Sequence, residues 1–198
     1  MARRGSQNKR FANYFVRMIM TEQRIKLVRE CEWEEVFLEW YKNEGNDPKW
    51  IKVAEEKGYA SWADWRVNGH ARRFDAQNTK WGFYEITDPA EIVGSWFGGP
   101  FRTWIERYYG GEKTKSFSEL AALPEIAEHA GIRSIMENYP ASSVITALEL
   151  PDGRIFIAEG MHRACALALL TKEGKPSPEK LIFAIGKSSL KELPLAVK

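Results

Sequence analysis

The sequence predicts an α+β fold: an all-helical, Trp-rich N-terminal segment over residues 1–75, followed by a small sheet with flanking helices over residues 81–198. Two patterns carry this prediction. Between Ile25 and Tyr41 the apolar residues Ile25, Val28, Trp33, Val36, Phe37, Trp40 and Tyr41 recur mostly at three- and four-residue steps, as on one face of an amphipathic helix. From Ser143 to Ile185 the pattern changes to strand, turn, strand, tight junction, helix, strand.

The elements follow in order. Gly45 stops the first helix. Asp47-Pro48 opens the next, with Asp47 as cap and Pro48 at the first helical position, and Gly58 ends it. Ser61-Trp62-Ala63-Asp64 reads as a capping box with Asp in place of Glu, starting a third helix. Asn68-Gly69 and Gln77-Asn78 read as loop, and the basic run Asn68–Arg73 as a surface turn. Trp81–Ile86 can form a short strand, and Asp88-Pro89 a helical turn. Gly98-Gly99-Pro100 breaks the stretch Trp96–Trp104. Ser116–Ala130 reads as one or two helices and Ile132–Tyr139 as another. Ser143–Leu150 is a β-branched strand, Pro151-Asp152-Gly153 a hairpin turn, and Arg154–Ala158 the return strand. Met161–Lys172 is an Ala/Leu helix stopped by Gly174, and Leu181–Ile185 a last strand.

Composition bounds the function. The 198 residues are 44% hydrophobic and 28% charged, enough to bury a core and stay soluble. Six of the eight Trp fall in the first 81 residues, and they read as core rather than as a base-stacking platform. Cys31 and Cys165 show neither disulfide nor zinc spacing, which suits a reducing, cytoplasmic setting. The start MARRGSQNKRF is basic without an apolar h-region, so no secretory signal is expected, and no window reaches membrane-spanning length. Net charge is +2, and four basic groups fall in the first ten residues. Such an arm suits nucleic-acid phosphates or simply a solvated terminus.

The chemistry concentrates at Glu159-Gly160-Met161-His162-Arg163, where strand becomes helix. A helix start presents unpaired N–H groups and partial positive charge, which favour an anion. Gly160 lets a phosphate approach the backbone, and Arg163 can hold one through two N–H groups. Glu159 can orient a nucleophile, accept a proton or help hold Mg²⁺. The plain alternative is a tight connection in which Arg163 pairs with a nearby carboxylate and His162 is a satisfied, partly buried histidine.

At these residues the chain resembles the ParB/sulfiredoxin superfamily, whose hairpin–junction–helix reads G-E-R-R in ParB, G-C-H-R in sulfiredoxin and D-G-H-H-R in kinase-like members. The stretch SIMENYPASSVITALELPDGRIFIAEG also looks like the family's helix, hairpin and turn. The resemblance covers about residues 81–190 and is clearest in the last sixty. It implies a small mixed sheet and a nucleotide pocket, with ATP or another nucleotide and Mg²⁺. Gly160, Met161, His162 and Arg163 would hold the phosphates, and Glu159 and His162 would be catalytic. Met161 stands where sulfiredoxin has its reactive cysteine; a thioether forms no thiolate, so sulfiredoxin activity is not expected. In GGPFRTW, Gly99 and Arg102 are candidate contacts to substrate or nucleotide, set against plain packing by Phe97, Phe101 and Trp104. His129 reads as a bystander, and no residues are assigned to a metal site. The expected activity is nucleotide-dependent phosphoryl transfer or hydrolysis, with a nucleotide and a small-molecule substrate as partners and no membrane. The alternatives are a DNA-associated ParB-like protein, nucleotide-gated or a nuclease, that uses the basic N-terminus, and a non-catalytic interaction module.

Overall fold

The computed structural model describes residues 23–195. The basic arm of the first ten residues lies outside them. The described residues build one six-stranded mixed sheet in the order β1-β2-β6-β4-β5-β3, flanked by helices.

β1 (Ile25–Cys31) runs antiparallel to β2 (Lys80–Thr87), pairing Ile25 with Ile86 and Cys31 with Trp81. The single helix expected from Ile25 to Tyr41 is therefore corrected: its first seven residues are an edge strand, and the N-terminal part is not all helical. Ile25 and Val28 fit a helical face, but β-branched residues suit a strand equally well, and pairing with the distant strand β2 settles the choice. Glu32 and Glu35 form a reciprocal capping box, so α1 begins only at Trp33 (Trp33–Glu44).

Asp47 caps α2 (Pro48–Glu56), its carboxylate accepting from the Lys49 N–H at 2.9 Å. Ser61 accepts from the Asp64 N–H at 3.1 Å and starts α3 (Trp62–Asp64). This helix widens into a π-turn over Trp65–His70 and tightens to 3₁₀ over Ala71–Phe74. The surface turn expected at Asn68–Arg73 is thus helical, and its His70 is buried. Gln77-Asn78, read as loop, closes a further 3₁₀ turn.

Beyond β2 come α4 (Pro89–Val93), the two-residue β3 (Phe97–Gly98), α5 (Arg102–Arg107), α6 (Phe117–Ala122), α7 (Pro124–Ala127) and α8 (Ala130–Glu137). The hairpin of β4 (Ile145–Glu149) and β5 (Ile155–Glu159) closes through Asp152, which accepts from the Arg154 N–H at 3.0 Å. α9 (Met161–Lys172) then carries the chain over β4 to β6 (Lys180–Lys187), which lies parallel to β4 and antiparallel to β2.

The sheet separates two cores. On one face α9 packs with α4, α6 and α8 around Ile145, Ile157, Leu167 and Phe183. On the other, Trp33, Trp40, Trp62 and Phe74 pack on Trp81, Leu148, Phe156 and Ala184. Residues on both sides of position 80 build this second core.

Candidate functional site

The junction sits where β5 ends and α9 begins. β5 carries one extra residue there: Thr146 pairs with Glu159 while Ala147 pairs with Ile157, so Ala158 is bulged out of the ladder. A bulge shifts the alternation of side chains. Glu159 therefore shares the face of Thr146, whose hydroxyl accepts from the Trp40 indole N–H at 2.7 Å. Simple alternation from Phe156 would have put Glu159 on the opposite face. The bulged Ala158 carbonyl accepts from His70 Nε2–H at 3.1 Å. Desolvation, then the Arg66 charge, holds His70 well below the usual histidine range, so it stays neutral.

Gly160 follows with φ of 94°, a left-handed conformation that favours glycine. α9 starts with no side-chain cap and no acid in its first turn. The N–H groups of its first turn have no intrahelical acceptor.

Arg163 and Glu159 form a buried pair. One guanidinium nitrogen, Nη2, donates to both Glu159 oxygens at 2.8 and 2.6 Å. The other, Nη1, donates to the Val144 carbonyl at 3.0 Å. Both residues are 8% exposed. Burial pushes the Glu159 carboxyl above its ordinary range, while Arg163 pulls it back. Glu44 and Arg66 also reach Glu159 electrostatically. They form a second buried pair, in which Arg66 Nε donates to Glu44 at 2.8 Å.

His162 is exposed, but its ring is flanked by His129 and Trp104, with centroids 4.9 and 5.6 Å away. Desolvation, then the nearby His129 and Lys49, lowers its pKa to about 4, so at neutral pH it is an uncharged imidazole. Met161 is buried and faces the core. Neither Trp104 nor His129 stands out in the sequence as part of a site. Only the packing of α5 and α8 beside α9 brings them to His162. The one local signal for Trp104 is its place in the Gly-broken stretch GGPFRTW, where its ring reads as packing.

Gly99 and Arg102 occupy other positions. A Cβ on Gly99 would lie 2.7 Å from the Ile157 carbonyl, so the close approach this glycine permits is to β5. Arg102 pairs with Glu106 at 2.7 Å on the surface.

Among the described residues no group of three or more His, Cys, Asp or Glu is placed to hold a metal ion. Glu159, the one carboxylate in the junction stretch, has both oxygens engaged by Arg163. These donors do not make a protein-held Mg²⁺ seat. Cys31 and Cys165 are free thiols, and burial pushes the Cys165 thiol far up, away from reactivity. No helix among the described residues is long and apolar enough to cross a membrane.

Comparison with protein-family models, with curated proteins and with solved structures finds no significant match to this chain.

Proposed function

We propose that the protein binds a nucleotide through its phosphates at the start of α9, as a ParB/sulfiredoxin-like phosphotransferase or nucleotide hydrolase. One observation carries the reading: a buried twelve-residue helix begins at left-handed Gly160, with neither a side-chain cap nor an acid in its first turn. Such a start leaves N–H donors and positive potential for an anion. The hairpin before it and the crossover to β6 after it fit the resemblance at Glu159–Arg163.

The side chains take distinct roles. The N–H groups that follow Gly160 cradle phosphate oxygens, and Arg163 adds charge. Neutral His162 offers a ring nitrogen at the open rim, with Trp104 and His129 as aromatic walls. Glu159 accepts the proton of the attacking hydroxyl or water, a task for which a raised carboxyl pKa is suited. Mg²⁺ arrives with the nucleotide, held chiefly by phosphate oxygens, as is usual for this ion.

Calorimetry with ATP, ADP and CTP in the presence of Mg²⁺ tests the reading. At least one nucleotide should bind, and Arg163→Ala should weaken it by at least about tenfold, the loss of a charge-assisted contact. If none of the three binds, the reading is wrong.

A further inference from the structure

Two buried side-chain polar atoms among the described residues have no hydrogen-bond partner: Arg73 Nε and the Tyr139 hydroxyl. Tyr139 lies between α8 and β4, packed against the aliphatic core. Its hydroxyl is near enough to Arg163 and Glu159 for both charges to act on it. A buried tyrosine hydroxyl ordinarily finds a partner. The orphan therefore asks for an acceptor at this spot.

The neighbouring pair does not supply it. Both Glu159 oxygens are turned to Arg163 Nη2, and neither reaches Tyr139. The Arg163 guanidinium also folds back over the helix start, where a Cβ on Gly160 would stand 2.9 Å from Nη2. The cation thus lies beside Gly160 at the helix start, and the anion it holds is the chain's own.

We infer that Glu159 fills the seat of a phosphoryl group in the free protein, and that Arg163 and Tyr139 bind the terminal oxygens of that group once Glu159 yields it. This rests on the phosphate reading above. It adds a contact that the junction motif does not contain. A phosphoryl group offers three oxygens where a carboxylate offers two. Arg163 can keep its contact to Val144 and turn Nη2 from Glu159 to the ligand, while Tyr139 donates its O–H to a further oxygen. The exchange leaves Glu159 without its counter-ion and beside the phosphate, which raises its affinity for a proton.

Titration of the wild type, Tyr139→Phe and Glu159→Gln by calorimetry, once with pyrophosphate and once with ATP, tests this. Glu159→Gln should bind pyrophosphate about tenfold tighter than wild type, because the competing charge is gone. Tyr139→Phe should bind about tenfold weaker, the size of one hydrogen bond to a charged group. Binding at the same affinity in all three proteins overturns the inference and leaves the nucleotide reading standing. Pyrophosphate binding with these shifts but no ATP binding upholds the inference and removes the nucleotide reading. No binding of either ligand by any of the three removes both. Thermal melts accompany the titrations. If Glu159→Gln does not fold, Tyr139→Phe decides alone, since it keeps the ring and its packing.

Discussion

The two faces of the sheet are built on different principles. Under α9 the core is largely aliphatic: of the buried residues in that cluster only Trp96, Tyr109, Phe117 and Phe183 are aromatic. Ala164–Leu169 of α9 lies within it. Beneath α1 and α3 the core is ringed, with Trp33 edge-on to Trp40 at 5.1 Å and tilted against Trp81 at 5.6 Å. That face also holds the polar interior. Arg66 lies 4.3 Å from the Trp65 ring and pairs with Glu44, which accepts from the Trp62 indole at 3.2 Å. Large rings bring much apolar area and a polar handle, so they can enclose charges that an aliphatic core could not satisfy. The junction lies where the two systems meet. Arg163 comes from the helix on the aliphatic side, and Glu159 is turned by the bulge toward the polar one.

If charge pairing organises the aromatic side, breaking one pair should be the most damaging change. Arg66→Met leaves Glu44 buried without its cation and should cost about 3–5 kcal/mol. Adding Glu44→Gln removes the stranded charge, keeps an acceptor for Trp62, and should recover at least half of that loss. Urea unfolding of the single and double variants checks this. A double variant no better than the single would mean that the stacked rings, not the charges, hold this side.

The aliphatic side should respond to volume alone. Leu167 is fully buried, and Leu167→Ala should cost about 3 kcal/mol through lost transfer energy and the cavity left behind. The same unfolding series measures it. Its effect should add to that of Arg66→Met, because the two lie on opposite faces.

The smallest effect should be pH dependence, and it should belong to the aromatic side. His70 has a folded pKa well below its unfolded value near 6.5. A depressed pKa means that the unfolded chain takes up the proton first. The stability His70 supplies is then complete above about pH 6.5 and is lost as pH falls below it, by at most about 1.4 kcal/mol per pH unit. His162 acts in the same sense but more weakly, because it is exposed to solvent. Glu159, raised by burial, acts oppositely and loses stability as pH rises through its folded pKa. Thermal melts from pH 7 to 4.5 should therefore show an acid limb that His70→Gln flattens.

How much was legible in the chain varies with the range of the signal. The caps at Asp47 and Ser61, the turn at Pro151-Asp152-Gly153 and the glycine at the helix start are written in three or four adjacent residues, and they lie where expected. β1 was not legible, because IKLVREC carries no alternation that a partner would not have to supply, and its partner is β2. Part of the candidate site was visible in the same way. Gly160, His162 and Arg163 are neighbours in the chain, whereas Trp104 and His129 reach His162 from α5 and the start of α8.

By itself the sequence determined the hairpin, the glycine at the junction and the Ala/Leu helix, since caps, turns and apolar runs act between neighbours along the chain. Only the tertiary structure decided that Ala158 bulges, that Glu159 consequently faces the polar interior, and that Arg163 spends its charge on Glu159. The reason is physical: strand register and ion pairing are set by which distant segments share a face, and no local pattern encodes that choice.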